Sequence, residues 1–271
     1  MSSAILRKAW QGKWALVTGA SAGIGEALAV ELAQAGVNLV LTARRRDRLE
    51  ALAQRLSSQH SIQTRILVAD LTQPEAPAEI FASTEAAGLA IEVLISNAGF
   101  GEYGQFLNSN LESQLNMVQV NCTAVVHLSR LFLPRMVERR SGAMMIVAST
   151  AAYQPVPYLA TYGATKAFDR MLAEALAEEV KDYGVKVSAL CPGPTVSEFD
   201  QVAGSRRDDK RPRQSTAEVA LRGLEGLAEG KPWVIPYVRG RLQVFAQRLV
   251  PRRLVTQAAA RMMRPGDTQK K

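Results

Sequence analysis

The sequence predicts an α/β protein in which a doubly wound parallel sheet of about seven strands is covered by helices on both faces. Its 271 residues, 47% of them apolar, are enough for one sizeable domain with a full core. Short apolar runs without strict polar alternation are separated by longer segments, which is typical of strands buried on both faces. A glycine-rich turn joins the first run directly to a helical segment. We therefore expect a single domain over residues 1–271.

Strands and helices are predicted to alternate along the whole chain. The strands are predicted at 13–18, 37–42, 65–69, 91–96, 143–149, 185–191 and 232–236, and the helices at 23–35, 46–58, 75–87, 109–138 and 158–183. A sheet of this kind binds its ligands at the carboxyl ends of its strands. The residues singled out below all fall near such an end, which favours one shared site.

The first turn carries three glycines in the pattern G-x-x-x-G-x-G. Gly19, Gly23 and Gly25 follow the apolar run 14–17 and precede the apolar segment 26–33. Glycines permit unusual φ angles and let a pyrophosphate approach the backbone at the positive end of a helix. Such turns also serve purely as joints between strand and helix. On this segment alone, nucleotide binding and a structural role both remain open.

A second pattern is a tyrosine with a lysine four residues later. On a helix, Tyr162 and Lys166 share a face, and Ser149 lies thirteen residues before the tyrosine. A free phenol, with a pKa near ~10, exchanges its proton reluctantly at neutral pH. A fixed cation beside it lowers that pKa, which suits a proton donor. The alternative is an ordinary contact on a helix surface.

Together these segments resemble the short-chain dehydrogenase/reductase family. The matching residues run in the family's order: Thr18-Gly19-x-x-x-Gly23-Ile24-Gly25, Asp70-Leu71, Asn97-Ala98-Gly99, Asn121, Ser149, Tyr162-x-x-x-Lys166 and Pro192-Gly193. The resemblance is close over residues 12–200 and loose beyond them. It implies a Rossmann-like fold and hydride transfer between a nicotinamide and a carbonyl or alcohol substrate.

The resemblance also implies a role for each catalytic residue. Ser149 would hydrogen-bond the substrate oxygen, Tyr162 would donate the proton, and Lys166 would bind the nicotinamide ribose and stabilise phenolate. Asn121 would support a water in the proton relay, although an asparagine bonded to nearby backbone is the alternative. Thr150 is a competing hydroxyl, but the thirteen-residue separation favours Ser149.

Further residues are implied to bind the cofactor. They are Gly19, Ser21, Gly23, Ile24 and Gly25 in the turn, Asp70 and Leu71 at the adenine, Asn97, Ala98 and Gly99 along the nucleoside, Tyr162 and Lys166 at the ribose, and Pro192, Gly193 and Thr195 over the nicotinamide. Ser197 stands where many relatives have threonine. Asn97 has an alternative role, which is to pin neighbouring strands.

The end of the second predicted strand bears on the choice of cofactor. Ala43 occupies the place where an NAD site commonly has an acidic side chain, and Arg44 follows it. A guanidinium can bind a 2′-phosphate through two parallel hydrogen bonds, and Ser21 could add another donor. The sequence therefore predicts NADP(H). The alternative is that the run of arginines is a solvated helix entry balanced by nearby carboxylates.

Other classes of site find little support. Because His60 and His127 are the only histidines, no metal site is expected, and a cofactor must carry the chemistry. Cys122 and Cys191 are too few for a disulfide framework and are interpreted as buried, reduced thiols of a cytoplasmic protein. No signal peptide is recognised, and no apolar stretch approaches the length needed to cross a bilayer.

Two segments outside the motifs have their own interpretation. Residues 196–216 are polar and basic and are predicted to form a mobile lid over the site. Residues 239–271 hold nine Lys or Arg and one acidic residue, a net charge of +8 that equals the whole-chain value.

This basic tail is also amphipathic. Leu242, Phe245 and Leu249 fall on one helical face. A second apolar stripe follows Pro251: Leu254, Val255, Ala258, Ala259, Met262 and Met263. The tail could rest on an anionic membrane or admit lipid-like substrates. The favoured interpretation is packing on the protein's own core or a partner subunit with arginines outward, and nucleic-acid binding is not expected.

We therefore predict an NADP(H)-dependent carbonyl reductase or alcohol dehydrogenase acting on a fairly apolar ketone or alcohol. A 3-oxoacyl thioester reductase is the alternative within this class. A non-catalytic nucleotide-sensing or scaffold protein is the alternative from another class, but a sensor needs no proton donor. The resemblance further implies a homodimer or homotetramer built through the helices near 109–138 and 158–183.

Overall fold

The computed structural model describes residues 2–204 and 213–265, and it confirms the predicted doubly wound sheet. Within these ranges seven parallel strands pair in the order β3-β2-β1-β4-β5-β6-β7. They are β1 (Trp14–Thr18), β2 (Asn38–Ala43), β3 (Thr64–Val68), β4 (Ile91–Ser96), β5 (Gly142–Val147), β6 (Val185–Leu190) and β7 (Trp233–Val234). The chain winds from β1 towards β3 and then from β4 towards β7. The crevice above β1 and β4 is therefore the switch point where such sheets bind ligands.

Helices cover both faces of this sheet. They are α1 (Ser2–Trp10), α2 (Gly23–Gln34), α3 (Arg46–His60), α4 (Ala76–Ala86), α5 (Leu111–Val118), α6 (Ala124–Glu138), α7 (Ala160–Val180), α8 (Phe199–Val202), α9 (Thr216–Ala228), α10 (Val238–Gln247) and α11 (Arg252–Met263). A π-helical turn, Gln119–Thr123, joins α5 to α6. Four of the five helices predicted between the first six strands are present, with ends that differ by only a few residues, whereas the single helix predicted at 109–138 is α5 and α6 with the π-helical turn between them.

The core has two layers because successive strand residues face opposite sides. Val17 belongs to the cluster under α2, α3 and α9, whereas Leu16 belongs to the cluster under α4, α6 and α7. Every residue of β4 and β5 is buried, as expected for central strands of a covered parallel sheet. This double cover holds the carboxyl edge of the sheet in a fixed position.

The sequence analysis missed α1 and α9, as well as the short α8 inside the predicted lid. In α1, Leu6 and Trp10 are buried, and the helix packs against α9. At the start of α9 the Ser215 hydroxyl accepts a hydrogen bond from the Glu218 amide at 3.1 Å. A serine followed three residues later by a glutamate is a recognisable signal for a helix start, and it could have located α9.

The tail forms two helices, but its apolar stripes do not lie where the favoured interpretation placed them. Leu242 and Phe245 on α10 and Leu249 in the turn after it are exposed, so the prediction that they pack on the protein's own core is wrong, while packing on a partner subunit stays a prediction. Val244 faces the core instead. The second stripe is split, because Ala259 of α11 is buried and Leu254 is exposed. Helical periodicity groups residues on a face without saying which face points inward.

The two cysteines differ in environment. Cys191 is fully buried, as predicted, but Cys122 in the π-helical turn is only partly buried, so that half of the prediction is wrong. Its neighbour Asn121 occupies the inward position of the turn. Burial raises the pKa of each thiol to about 12, which keeps both protonated.

Two further segments are only partly covered by the described residues. The predicted lid includes α8, and the Arg213 guanidinium pairs with the Asp200 carboxylate at 2.6 Å. Residues 205–212 of the lid and 266–271 of the tail lie outside the described ranges. Among the helices that are described, none is long and apolar enough to span a bilayer.

Thr18→Val should destabilise the fold by about 2–4 kcal/mol, because it removes the acceptor of two buried amides. The Thr18 hydroxyl donates to the Ile95 carbonyl at 3.2 Å and accepts from the Asn97 and Ala98 amides, each at 2.9 Å. Urea unfolding followed by circular dichroism measures the loss.

Thr42→Val is the matched control for this substitution. Thr42 lies opposite Thr18 in the β1–β2 register and is equally buried, but its hydroxyl has no hydrogen-bond partner within the described residues. Its replacement should therefore change the free energy of unfolding little. Equal losses for the two variants would contradict the argument.

Candidate active site

The three catalytic candidates meet at the carboxyl edge of the sheet. Ser149 follows β5, and Tyr162 and Lys166 lie one turn apart near the start of α7. The Ser149 hydroxyl accepts from the Ala151 amide at 3.1 Å, which caps the short 3-10 helix Thr150–Tyr153. Ser149 lies near enough to the Tyr162 phenol to lower its pKa. The fold therefore brings together all three residues that the sequence pattern singled out.

Lys166 is buried, and its ammonium has two fixed partners. Nζ donates to the Val147 carbonyl at 2.7 Å and to Oδ2 of Asp169 at 2.9 Å. Burial by itself would lower the pKa of Lys166, but the Asp169 carboxylate and the Tyr162 phenol raise it above the usual value. The ammonium therefore remains charged beneath the tyrosine.

Asp169 is a site residue that the sequence analysis missed. It is fully buried, and its Oδ1 has no hydrogen-bond partner in the described part of the chain. Burial raises the pKa of its carboxyl group, and the Lys166 charge opposes that rise. Its position three residues after Lys166 on the same helical face was a signal that could have found it.

The pKa of Tyr162 is shifted in the direction opposite to the expected one. Burial raises it, while the Lys166 ammonium and the hydrogen bond with Ser149 lower it. The carboxylates of Asp169 and Asp200 raise it further. Burial outweighs the lysine, so the expected net lowering is wrong, although the lysine acts in the predicted sense.

Asn121 lies in the π-helical turn, and its side chain connects three elements. Its Oδ1 accepts from the Phe100 amide at 3.1 Å, and its Nδ2 donates to the Phe100 carbonyl and to the Thr165 hydroxyl, each at 3.0 Å. Asn121 therefore does bond backbone groups, but these belong to the loop after β4 and not to the helix that contains Asn121. A methyl group on Gly99 would lie 3.0 Å from Asn121 Oδ1 and 3.4 Å from Lys166 Nζ. The loop can approach the lysine this closely only with glycine there.

An aromatic ring from the predicted lid covers the catalytic phenol. The rings of Phe199 and Tyr162 have centroids 5.0 Å apart at 50°. A Cβ on Gly101 would lie 2.9 Å from the Phe199 ring and 3.2 Å from the Tyr162 ring. Phe199, which begins α8, was not singled out from sequence. It places an apolar ring against the Tyr162 side chain.

The glycine turn has a backbone conformation and close contacts that favour glycine at its three glycine positions. Gly19 and Gly23 have φ of +65° and +62°, and a Cβ on Gly25 would lie 2.3 Å from the Gly19 carbonyl oxygen. Ala22 precedes α2 and offers no side-chain cap. The first amides of the helix are therefore left for another acceptor. Ile24 packs against the core and anchors the turn.

Ser21 lies beside the arginines that follow β2. Its hydroxyl accepts from Nε and Nη2 of Arg45 at 3.1 and 3.0 Å. Arg45 and Arg48 also bind the two oxygens of Glu198, at 2.9 and 2.7 Å, which ties the predicted lid to this edge. Arg44 is exposed and has no side-chain partner within the described ranges. Arg45 and Glu198 are neighbours that the sequence analysis missed.

Asn97 has the strand-pinning role that was considered as its alternative. Its Nδ2 donates to the carbonyls of Thr18 and Gly19 at 2.8 and 3.3 Å, which joins β4 to the start of the glycine turn. Ala98 follows it and also bonds Thr18 through its amide. These residues and Gly99 line the crevice between β1 and β4.

The remaining predicted cofactor residues lie at the ends of β3 and β6. The Asp70 carboxylate accepts from the Thr72 amide at 3.0 Å, and Leu71 is buried beneath it. A Cβ on Gly193 would lie 2.2 Å from the hydroxyl oxygen of Tyr237. Hydrogen bonds also fix the segment after β6. The Pro192 carbonyl accepts from the Thr150 amide, and the Thr195 hydroxyl donates to the Gly193 carbonyl. The Ser197 hydroxyl accepts from the Phe199 amide.

Comparison with known proteins agrees with this geometry. The model of the short chain dehydrogenase family matches residues 13–208. The very-long-chain 3-oxoacyl-CoA reductase of Bos taurus is 33% identical over 229 residues, which cover 82% of this chain and 72% of that protein. The structure of a short-chain dehydrogenase from Sphingobium yanoikuyae in complex with NADPH is 30% identical, with a TM-score of 0.80 over 96% of this chain and 99% of that one. The bulky-bulky ketone specific alcohol dehydrogenase from Comamonas testosteroni is 28% identical, with a TM-score of 0.76 and the same coverage. The tyrosine–lysine pair, the glycine turn and these likenesses together make the chain a member of the short-chain dehydrogenase family.

Proposed function

We propose that the protein reduces a ketone carbonyl on an apolar substrate to a secondary alcohol with NADPH. The observation that carries this proposal is the Tyr162 phenol, which lies between the Lys166 ammonium, the Ser149 hydroxyl and the Phe199 ring. In this proposal the substrate carbonyl oxygen lies in one place where it accepts a hydrogen bond from each of the Ser149 and Tyr162 hydroxyls. Phe199 excludes water from that place, which strengthens both bonds.

In this mechanism each catalytic residue has a separate role in the transfer of one proton. Ser149 holds the substrate oxygen, and Tyr162 donates its phenolic proton to that oxygen as negative charge develops there. The Lys166 ammonium stabilises the phenolate that remains. Because the Val147 carbonyl and Asp169 hold Nζ in position, this stabilisation needs no rearrangement of the lysine.

The residues of the groove fit a dinucleotide with a 2′-phosphate. The uncapped first turn of α2 and the approach permitted by Gly19 suit a pyrophosphate. The guanidinium of Arg44, with Ser21 and Arg45 beside it, suits the additional phosphate. NADPH bound there would supply the hydride that reduces the carbonyl carbon.

Within this class, a 3-oxoacyl thioester is the first substrate to test. The very-long-chain 3-oxoacyl-CoA reductase of Bos taurus is among the proteins this chain is similar to, and the apolar cover over Tyr162 suits a long acyl chain. A bulky ketone is the second candidate, because the enzyme from Comamonas testosteroni is specific for such ketones.

Self-association through α5, α6 and α7 is part of the same proposal. Leu111, Leu115 and Val118 on α5, Val126 on α6 and Phe168 and Met171 on α7 are exposed large apolar side chains. Exposed apolar faces on adjacent helices are typical of subunit contacts. Analytical ultracentrifugation measures the assembled mass.

Tyr162→Phe should lower kcat for carbonyl reduction by at least about 100-fold, because the phenylalanine has no proton to donate. NADPH absorbance is followed with a panel of ketones and 3-oxoacyl thioesters. Tyr153→Phe is the matched control, since the Tyr153 hydroxyl contacts Cys191 Sγ at 3.8 Å and plays no part in the proton transfer. Turnover that survives in the Tyr162 variant would defeat the mechanism. NADPH binding by the wild type without turnover of any substrate would instead favour the non-catalytic alternative.

The double substitution Arg44→Ala and Arg45→Ala should raise KM for NADPH by at least about tenfold, because it removes the cations that bind the 2′-phosphate. KM for NADH should change little. Arg46→Ala is the control, since Arg46 pairs with Glu50 at 3.7 Å on the exposed side of α3. Equal losses with both cofactors would contradict the assignment.

Asp169→Asn should move the acid limb of the kcat/KM profile for alcohol oxidation to lower pH. Oxidation requires the phenolate, and the Asp169 charge raises the pKa of Tyr162, so its removal lets the phenol ionise at lower pH. Asp182→Asn removes an equal charge from the exposed turn after α7 and should leave the limb in place. A loss of thermal stability without movement of the limb would show that Asp169 has only a structural role.

A further inference from the structure

An apolar stripe on the tail faces away from the rest of the protein. Val238, Leu242 and Phe245 on α10 and Leu249 in the turn just after it are spaced four, three and four residues apart and are 69%, 63%, 61% and 74% exposed. On α10, Gly240 is buried and Val244 packs against the core. With Leu254 of α11 the four exposed residues form what we call the apolar tail face.

Positive charge borders this face. Between residues 238 and 265 the sequence has seven arginines and no acidic residue: Arg239, Arg241, Arg248, Arg252, Arg253, Arg261 and Arg264. On α10, Arg239 lies to one side of the apolar stripe, and Arg241 and Arg248 lie to the other, because helical residues are about 100° apart. An apolar stripe flanked by arginines is the pattern of helices that lie in the interface of a lipid bilayer.

The inner sides of the same helices rest on the catalytic edge of the sheet. The Tyr103 hydroxyl, in the loop that includes Gly101, donates to the Met263 carbonyl at 2.7 Å. Gln247 of α10 donates to Gln154, which follows the 3-10 helix behind Ser149. The apolar tail face is thus the outer surface of elements that border the active site.

We propose that the apolar tail face binds the surface of an anionic lipid membrane, with its leucines and phenylalanine in the bilayer and its arginines at the phosphate headgroups. The proposed membrane contact is argued from the tail residues only and does not depend on the proposed function. Its use rests on the proposed function, since an apolar ketone or acyl thioester partitions into membranes and would reach the adjacent active site from there.

Charge argues against a second copy of the chain as the occupant. In a two-fold contact the same face meets itself, and here the arginines that flank the stripe of one tail would meet those of the other. Like charges that face each other oppose association. Residues 1–238 carry no net charge, since the tail accounts for the whole +8, so they supply no excess of negative charge for a head-to-tail contact. An anionic headgroup layer has the opposite charge and would attract the arginines that flank the stripe.

Flotation of the full chain with vesicles tests the proposal without any need for turnover. Vesicles of phosphatidylcholine alone are compared with vesicles that contain about one third phosphatidylglycerol, at low salt and at about 0.5 M salt. We expect the protein to float with the anionic vesicles at low salt and much less under the other conditions. Wild-type protein that floats with none of these vesicles would overturn the proposal.

Two double variants separate this face from apolar exposure in general. Leu242→Ser with Phe245→Ser should lower the partition coefficient at least about tenfold. Leu107→Ser with Phe106→Ser replaces the same two residue types, 92% and 63% exposed before α5, and should leave it within about twofold. Equal losses in both would contradict a specific face.

A charge variant keeps the test decisive if the apolar variant unfolds. Arg248→Gln, Arg252→Gln and Arg253→Gln together should abolish the preference for anionic vesicles while leaving the stripe intact. Analytical ultracentrifugation of the same proteins reports their mass. If the tail variants change the assembled mass and leave flotation unchanged, the face is a contact between copies and the proposal is wrong.

Discussion

The buried charge of Lys166 is the interaction on which the rest of the site depends. An ammonium removed from water is costly unless oxygen atoms surround it, and here the Val147 carbonyl and the Asp169 carboxylate do so. Because Val147 ends β5 and Asp169 belongs to α7, these bonds fix the helix against the strand. Tyr162 lies one turn before the lysine and Ser149 two residues after the valine. One neutralised charge therefore sets the positions of both hydroxyl groups.

The cofactor side depends on a comparable crosslink between strands. Thr18 and Asn97 bind each other's backbone across the β1–β4 switch point. The same bonds draw the loop after β4 against the glycine turn, so tightly that a side chain at Gly19 would collide with Asn97. The hydrogen bonds that join β1 to β4 therefore also form the groove. The two roles weighed for Asn97 need not exclude each other, because a residue that pins the strands also shapes the wall of the groove.

Most of the architecture could be predicted from sequence because the patterns that predict it involve residues close together in the chain. Apolar runs, the glycine spacing and the Tyr162–Lys166 separation all involve residues within one turn or one strand. Contacts between distant segments were missed, as with Phe199 over Tyr162 and Glu198 on Arg45, since no local spacing encodes them. The predicted direction of the pKa shift of Tyr162 was wrong for a related reason, because burial is a property of the whole fold. Helical periodicity likewise did not reveal which face of α10 points away from the core.

The hydrogen bond from Tyr103 to the Met263 carbonyl has a practical consequence. The last described helix is fastened to a loop beside the catalytic tyrosine, so changes at that terminus act on a nearby reaction centre. At the other end of the chain, α1 packs on α9, on the opposite layer of the sheet from Tyr162. A purification tag is therefore better fused to the amino terminus, since loss of α11 would remove the acceptor of the Tyr103 hydroxyl.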